Sequence, residues 1–542
     1  MSNKDIAQDK QELFRDFIKE KGRKPKVLHI GNIANNAYRN AKFLNETGLV
    51  ECDVICYDYY HLMAYPEWED ADIEGKIEDQ FLPDFRKVKV ANFIRPNWFA
   101  QGPLDLCIKY LIFKNDKHKD SFKYWEYLKK YNKSDVLNER ILISPLISKL
   151  AKFVFSDDFV YKVYCTIYLG RLVKYLKFNI FRELFIILVL IGFFPFRVLY
   201  KIIRSLGNKN FFLTESISLN KKHFINLFKS SFPNRKDILS ENDFLNYNDF
   251  TLSQWKKLFS QYDIIQGYAT DPILPLLCQS KIYIGYEHGT LRDFTLTDNS
   301  ISRLTSLAYH NANHVFITNG DCLEYAQKIG VNNYSAMIHP IDEKLIESIT
   351  SQYHELHEAY NVKYLFLCTL RHDWKVKGTD IYIRALPELK LKLGKSFKVL
   401  MTKWGQELES SMELAKSIGC DDVIEWIEPL SRKKLIQYKK SVDIVFDQIA
   451  LPHFGATAPE AIACGTPVIM SYEPSSTQWI IPEKAPILSA KNAQEVVVSI
   501  VQGLDKDWLK NYKIEAENWF YKFHSSSIVV DKHMDVYKKL LK

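Results

Sequence analysis

The chain has 542 residues, of which 47% are hydrophobic and 25% are charged. This is ordinary globular composition, and the length suffices for two or three domains, which excludes a small binding module. Lysine and arginine number 73 against 65 aspartate and glutamate, and the resulting charge of +8 is too small to indicate a nucleic-acid partner. The nine cysteines contain no CxxC pair, which argues against a disulfide framework or a zinc site.

Residues 1–26 are charged and contain no apolar stretch, so we expect neither a secretory signal nor a membrane anchor there, and a cytoplasmic protein. An apolar strand at 27–30 leads through the turn Gly31-Asn32 into a helical pattern, and a second strand follows at 53–57. Further short apolar strands are predicted at 263–266, 282–286, 314–318, 364–368, 398–401, 422–425, 443–446 and 467–470. Strands that alternate with helices in two successive series predict an α/β fold with two Rossmann-like, doubly wound domains.

We place the boundary between these domains at the proline-containing turn 338–342. The connection between the strands near Cys56 and Ile264 is far longer than a usual α/β connection, and it predicts a large, mostly helical insertion at about residues 60–260. The predicted parts are an N-terminal Rossmann-like domain, a C-terminal Rossmann-like domain and C-terminal helices, at residues 1–338, 339–506 and 507–542.

Inside the insertion, residues 178–203 form an apolar segment whose uncharged core runs from Leu184 to Phe196. As a helix this core covers roughly 20 Å, against about 30 Å for the hydrocarbon core of a bilayer, so it is short for a membrane span. Basic residues flank it, which favours a helix lying in the interface of an anionic leaflet. A buried core helix is the alternative, and a tilted span would have to bury three charged residues near its ends.

The most informative stretch is 447–469, which predicts a strand, a loop around Gly455, a helix beginning near Pro459 and the next strand. Such a loop exposes backbone N–H groups at a helix N-terminus, where a diphosphate can bind. Glu460 lies in the first turn of the predicted helix. Its carboxylate can accept hydrogen bonds from ribose or sugar hydroxyls, or it can simply complement the helix dipole.

The segment FGATAPEAIACGTPVI resembles the donor-binding segment of the family 4 retaining glycosyltransferases (glycosyl transferases group 1) of the GT-B fold, in a variant found in bacterial polysaccharide assembly. The resemblance implies that Glu460 binds the ribose of a nucleotide donor. The family's first glutamate, which contacts the donor sugar, lies eight positions earlier and is replaced here by Pro452. Another group would therefore have to contact the donor sugar. The resemblance assigns further donor contacts to the preceding loop, at His453, Phe454, Gly455, Ala456 and Thr457.

A second segment, CTLRHDWKVKGTDIYIRALPEL, resembles the family's Arg-then-Lys-Gly motif. The resemblance implies that Arg371 and Lys377 bind the donor diphosphate, where two fixed cations stabilise the charge on the leaving group. Trp404, Gly405 and Trp426 fall where the family builds its nucleobase pocket, although core packing is the alternative for either tryptophan.

In the first domain, His288 follows a predicted strand and resembles the family position that faces the reacting sugar and the acceptor. A satisfied structural histidine is the alternative. Gly31 and Asn32 match the family's loop that closes near the donor phosphate. Three further residues are candidate acceptor contacts, namely Asp271, Arg292 and Asp293.

The resemblance implies a retaining, metal-independent, hexosyltransferase-like enzyme with the catalytic residues His288, Arg371, Lys377 and Glu460. It also implies that the first domain binds the acceptor and the second binds the nucleotide sugar. A nucleoside-diphosphate sugar would be its co-substrate, without any other cofactor. Its acceptor would be a glycan or lipid-linked saccharide of lipopolysaccharide or capsule assembly. We expect the enzyme at the inner face of the plasma membrane, held there by residues 178–203. The resemblance also implies that residues 507–542 pack back on the first domain. A nucleotide-sugar epimerase of the same fold and a non-catalytic nucleotide-sugar-binding scaffold are the alternatives.

Overall fold

The structure is a computed structural model that describes residues 14–57, 61–130, 218–452 and 455–542. The chain divides into two compact units, and the fold described here is that of the unit formed by Met1–Lys129 and Leu219–Lys542. The apolar segment 178–203, His453 and Phe454 lie outside the described residues, so what the sequence indicates for them stays a prediction. Among the described helices, none is both long enough and apolar enough to cross a membrane.

The strands of the first domain are β1 (Lys26–Ile30), β2 (Glu51–Cys56), β3 (Asp72–Glu74), β4 (Lys89–Ala91), β5 (Phe99–Gln101), β6 (Ile264–Tyr268), β7 (Tyr283–Tyr286), β8 (His314–Ile317) and β9 (Tyr334–Ala336). Seven of them form a parallel sheet in the order β5-β2-β1-β6-β7-β8-β9, and β3 pairs with β4 as a separate antiparallel hairpin. β6 and β7 are buried along their whole length because helices cover both faces of the sheet.

The helices around this sheet are α1 (Arg15–Lys21), α2 (Asn36–Glu46), α3 (Pro66–Asp70), α4 (Leu104–Asn115), α5 (Ser121–Lys130), α6 (Lys221–Ser231), α7 (Asp249–Phe259), α8 (Ile273–Leu277), α9 (Thr290–Phe294), α10 (Ser300–His310) and α11 (Cys322–Lys328). Short 3₁₀ turns at Ile33–Asn35 and Leu62–Ala64 adjoin the ends of the central strands.

The second domain has a parallel sheet of the strands β10 (Tyr364–Cys368), β11 (Phe397–Thr402), β12 (Ile424–Ile427), β13 (Ile444–Phe446), β14 (Val468–Met470) and β15 (Leu488–Ser489). Their order is β12-β11-β10-β13-β14-β15. Its helices are α12 (Glu343–Ser348), α13 (Tyr353–Tyr360), α14 (Thr379–Leu393), α15 (Leu408–Ser417), α16 (Arg432–Lys439), α17 (Thr457–Ala463), α18 (Pro474–Thr477) and α19 (Ala493–Gly503). The two parallel sheets with their helices confirm the predicted α/β class.

In each sheet the direction of the strand order reverses at the first strand of the domain. β1 lies between β2 and β6, and β10 lies between β11 and β13. Open α/β sheets bind their ligands at the carboxyl ends of the strands beside such a reversal. The loops that follow β1, β7, β10 and β13 are therefore the places where a site is expected, and they carry most of the candidate residues.

The structure differs from the prediction for the stretch 60–260. β5 lies inside this stretch, yet it pairs with β2 and forms the edge of the main sheet. Only residues 130–218 form a separate unit, so the flanks of the stretch belong to the main one. β5 consists of Phe99, Ala100 and Gln101, which do not form an apolar run of the kind that predicts a buried strand.

The last two helices are α20 (Lys506–Phe523) and α21 (Ser526–Leu540). α20 contacts α17 of the second domain, whereas α21 contacts α2 of the first. On α21, the Tyr537 hydroxyl donates a hydrogen bond to Gln266 Oε1 at 2.9 Å, and Lys532 Nζ donates to the Ala336 carbonyl at 2.8 Å. The C-terminal pair of helices thus joins the two domains.

Candidate functional site

Arg371 and Lys377 lie on the loop between β10 and α14. Arg371 Nη2 donates a hydrogen bond to Asp373 Oδ2 at 3.0 Å, and its side chain is 47% exposed. Lys377 Nζ donates to the amide oxygen of Gln448, just beyond β13, at 2.6 Å. Burial lowers the pKa of Lys377 although the Asp447 carboxylate opposes the shift. A partly desolvated ammonium held by a neutral amide is stabilised by an incoming anion, so this edge of the sheet suits a phosphate group.

The loop that carries Arg371 is fixed to the loop after β11. The His372 N–H donates to the Trp404 carbonyl at 2.8 Å, and the Glu407 N–H donates to the His372 carbonyl at 3.0 Å. Gly405 has φ +114°, and a Cβ added there would lie 2.3 Å from the His372 nitrogen. Gly405, predicted as a donor contact, therefore has a clear structural function, because it lets the Arg371 loop approach closely.

The two candidate tryptophans lie beside the same loop. Trp404 is half-buried, and its Nε1 donates to the Thr369 carbonyl at 3.2 Å. The Trp426 ring lies 5.5 Å from the buried His372 ring, measured between ring centres. Both tryptophans thus border the loop that carries Arg371, and their part in a nucleobase pocket stays a prediction.

Glu460 lies in the first turn of α17 and is only 1% exposed. Lys439 Nζ lies 2.6 Å from Glu460 Oε2, and Arg432 Nη1 forms an ion pair with Glu460 Oε1. Burial alone would raise the pKa of Glu460, but the charges of Arg432, Lys439 and Arg39 outweigh it and lower this pKa to about 2. The Glu460 carboxylate is therefore ionised at all physiological pH values, and both of its oxygens are held by cations.

This cluster contains residues that the sequence did not indicate. Arg432 and Lys439 both come from α16, and Arg432 Nε lies 3.4 Å from Glu69 Oε1 in α3 of the first domain. Arg39 Nε lies 3.5 Å from the same Glu69 oxygen. No local motif marks these residues, since each ion pair joins segments that are far apart in the chain.

The donor loop before α17 is described only in part. α17 begins at Thr457 rather than near Pro459, Ala456 precedes it, and Gly455 is half-buried. The Ala458 N–H donates to Asp447 Oδ2 at 3.1 Å, which ties the start of α17 to the end of β13. The carbonyl of Pro452, which stands where the family has its first glutamate, accepts a hydrogen bond from Ser476 Oγ at 2.9 Å.

His288 follows β7 at the carboxyl edge of the first sheet. Its Nδ1 lies 3.3 Å from Asn36 Nδ2, and its Nε2 has no hydrogen-bond partner among the described residues. Burial lowers the pKa of His288 to about 3, with further contributions from His339 and Arg39. At neutral pH the ring is therefore uncharged, and it can exchange a hydrogen bond with a sugar hydroxyl.

The turn that carries His288 is anchored by its neighbour Glu287, which is fully buried. The Glu287 carboxylate accepts hydrogen bonds from the N–H groups of Thr318 and Asn319, at 3.1 and 3.2 Å, and from the N–H of Gly289. Glu287 thus joins the loops after β7 and β8. The sequence does not indicate this network, because a glutamate beside a candidate histidine forms no recognisable motif.

The loop after β1 is tightly packed. Gly31 has φ +89°, and a Cβ added there would lie 2.5 Å from Asp271 Oδ2. The Asn32 side chain points into the protein, where its Oδ1 accepts from the Tyr38 N–H at 2.9 Å and its Nδ2 donates to the Ala64 carbonyl at 2.9 Å. Asn32 is fully buried, so its side chain shapes the loop after β1.

Of the candidate acceptor residues, Asp271 lies beside the Gly31 loop, where its Oδ1 accepts a hydrogen bond from the Tyr57 hydroxyl at 2.9 Å. Arg292 and Asp293 lie on α9 and pair with each other at 2.9 Å, and Arg292 also pairs with Asp321 at 2.6 Å. A Cβ added at Gly289 would lie 2.6 Å from Arg292 Nη2, so this arginine covers the turn after His288.

Comparison with known proteins adds evidence for the second domain. Residues 353–518 match the family model for glycosyl transferases group 1. This match spans the loop of Arg371, the ion pairs of α16 and Glu460, and it confirms that this part of the chain resembles the glycosyl transferases group 1.

Two curated relatives are D-inositol 3-phosphate glycosyltransferases. The one from Kribbella flavida is 38% identical over 61 residues, which cover 11% of this chain and 14% of the relative. The one from Mycolicibacterium vanbaalenii is 31% identical over 103 residues, which cover 17% and 23%. The chain thus matches less than a quarter of the length of these relatives. A solved structure, HepE of Anabaena in complex with UDP and glucose, aligns with a TM-score of 0.45 and 13% identity over 53% of this chain and 81% of that one.

Proposed function

We propose that this protein is a retaining glycosyltransferase of family 4 that transfers a sugar from a nucleoside-diphosphate sugar to a hydroxyl group. The observation that carries the proposal is the pair of cations after β10. Lys377 is partly desolvated and held by the neutral amide of Gln448, and Arg371 is half-exposed on the same loop. The match of this domain to the glycosyl transferases group 1 model supports a diphosphate as the anion.

The proposed reaction follows from what each side chain can do. Arg371 and Lys377 bind the diphosphate and stabilise the negative charge that develops on it as the bond to the sugar breaks. Glu460, ionised and fixed by Lys439 and Arg432, accepts hydrogen bonds from the ribose hydroxyls. The sugar passes through an oxocarbenium-like state, the acceptor oxygen attacks from the face that the diphosphate leaves, and the leaving phosphate takes the proton of the acceptor.

His288 is proposed to orient the reacting face through its uncharged ring. Its free Nε2 supports this assignment, since a buried nitrogen without a partner among the described residues is stabilised by a hydrogen bond from or to a ligand. Two fixed cations neutralise the diphosphate in this proposal, so no divalent metal is needed and the reaction should proceed in EDTA.

The proposed acceptor is a glycan or a lipid-linked saccharide of cell-surface polysaccharide assembly, at the inner face of the plasma membrane. The support for it comes from the sequence, where basic residues flank the apolar segment 178–203. A protein held at that surface would meet acceptors whose lipid lies in the same leaflet.

The test measures donor hydrolysis and transfer by the full chain with Arg371→Ala and Lys377→Ala, using Lys375→Ala as the control. Lys375 is exposed on the same loop, so its loss removes a nearby charge without changing the proposed diphosphate contacts. We expect Arg371→Ala and Lys377→Ala to lower turnover by about a hundredfold or more, with unchanged melting temperatures, and Lys375→Ala to stay near wild type. Wild-type turnover in either of the first two variants would overturn the proposal.

A further inference from the structure

One segment of the first domain, residues 61–91, reaches the second domain, and we refer to it as the arm. It contains α3 and the β3–β4 hairpin. The Asp72 carboxylate of the arm lies 2.9 Å from Lys433 Nζ of α16, and Lys76 Nζ lies 3.1 Å from Glu428. These two pairs are partly exposed to solvent, where ion pairs of this kind contribute little.

Glu69 makes a different kind of contact. Its side chain is 6% exposed, and its Oε1 lies between two guanidinium groups, 3.5 Å from Arg39 Nε and 3.4 Å from Arg432 Nε. Arg39 belongs to the first domain, and its Nη1 also donates to the Pro340 carbonyl at 2.6 Å, in the turn that joins the two domains. Glu69 thus compensates two buried cations, one on each side of the domain interface.

Arg432 also forms an ion pair with Glu460. Its Nη1 pairs with Glu460 Oε1 while its Nε faces Glu69, and Lys439 holds the other oxygen of Glu460. Positive and negative groups therefore alternate through the interface in the order Arg39, Glu69, Arg432, Glu460 and Lys439. All five are nine-tenths buried or more, so the removal of any one charge leaves a neighbour uncompensated in a medium of low dielectric.

Glu69 also affects how much of Glu460 is available to a ligand. A carboxylate offers about four lone-pair positions, of which Lys439 takes one by a hydrogen bond to Oε2, while Arg432 forms an ion pair with Oε1. If Glu69 were neutral, Arg432 would lose one of its two carboxylate partners, and its Nε would be free to turn toward Glu460. It would then occupy a second acceptor position that a ribose hydroxyl needs.

We propose that Glu69 of the first domain is a positioning residue for the donor site of the second domain, acting through Arg432 to hold the Glu460 carboxylate in place for the ribose hydroxyls. This inference rests on the proposed function, in which Glu460 binds the donor. Because the contact of Glu69 with Arg432 crosses the domain interface, a change in the first domain reaches the donor site of the second.

The test compares Glu69→Gln with Asp72→Asn as the matched control. Both substitutions remove one arm carboxylate that faces a cation of α16, but only Glu69 touches the arginine that holds Glu460. Affinity for a panel of nucleoside diphosphates is measured by calorimetry, and KM and kcat are measured for donor hydrolysis. We expect Glu69→Gln to weaken nucleotide binding and raise the donor KM about tenfold while kcat changes less than twofold, and Asp72→Asn to match wild type. Wild-type affinity in Glu69→Gln, or equal losses in both variants, would overturn the inference.

Two further variants complete the design. Arg432→Lys keeps the positive charge but cannot bridge two carboxylates, so we expect it to lose affinity as Glu69→Gln does, and wild-type affinity would contradict the inference even if Glu69→Gln did not fold. Glu460→Gln tests the proposed ribose contact separately from the positioning function of Glu69. If it binds nucleotide like wild type, the proposed ribose contact itself fails, whereas a loss in Glu460→Gln without a loss in Glu69→Gln overturns the positioning function alone.

Discussion

At the scale of single residues, Gly405 determines how close the Arg371 loop comes to the second sheet. An alanine there would place its Cβ 2.3 Å from the His372 nitrogen and 2.6 Å from its carbonyl oxygen, at a φ of +114°. Overpacking of this kind costs about 1–3 kcal/mol, so we expect Gly405→Ala to lower the free energy of unfolding by about 2 kcal/mol. Denaturant unfolding measures this change.

Gly419→Ala is the control for backbone strain, since its φ is also positive, at +67°, while nothing lies within 4 Å of the added Cβ. Any loss that Gly405→Ala shows beyond this control comes from the overlap with His372 and from the larger φ of Gly405. Equal stability of the two variants would mean that the loop can move away from Gly405 at no cost, and that it is not fixed as described.

The candidate residues that stand in local sequence motifs could be proposed from the sequence. Residues whose ion pairs join distant parts of the chain could not. Arg371, Lys377 and Glu460 each stand in a short segment whose order of strand, loop and helix is visible in the chain. Glu69 has no such segment, because its partner Arg432 lies hundreds of positions later and an ion pair leaves no periodic pattern. The inward position of Asn32 was equally hidden, as a polar turn residue is usually expected to face solvent.

At the scale of elements, the strands that could be predicted are those whose sequence is a short apolar run. β6, β10 and β13 are short apolar runs because helices cover both sides of each sheet. β5 and the β3–β4 hairpin have three residues per strand, and the hairpin is partly exposed and mixed in polarity. The sequence therefore places the arm, which carries Glu69, in an insertion. In the structure the arm links the first domain to Glu460 through Arg432.

At the scale of the whole molecule, buried histidines make the stability of the fold depend on pH. Burial lowers the pKa values of His339, His372 and His533 to about 4, and that of His524 to about 3. They lie at the domain boundary, in the Arg371 loop and in the C-terminal helices. An unfolded histidine takes up its proton near pH 6.5, whereas these stay neutral in the folded protein until the pH is well below that value.

Between pH 6.5 and about 4, the unfolded state thus binds protons that the folded state does not. Each of these histidines then destabilises the fold by up to about 1.4 kcal/mol for every pH unit. We expect the melting temperature to be nearly constant from pH 7 to 8 and to fall steeply as the pH drops from 6.5 towards 4. Scanning calorimetry in buffers of equal ionic strength measures this, and a melting temperature that holds down to pH 4.5 would contradict the burial of these side chains.

The proposed function requires that the second domain binds a nucleoside diphosphate at Arg371 and Lys377. Isothermal titration calorimetry measures this binding. The full chain is titrated with a panel of nucleoside diphosphates and nucleotide sugars in the presence of EDTA. We predict that nucleotides of one base bind, that the metal chelator leaves their affinity unchanged, and that Lys377→Ala removes the binding while Lys375→Ala keeps it. Absence of binding by every member of the panel, or binding that survives in Lys377→Ala, would contradict the claim.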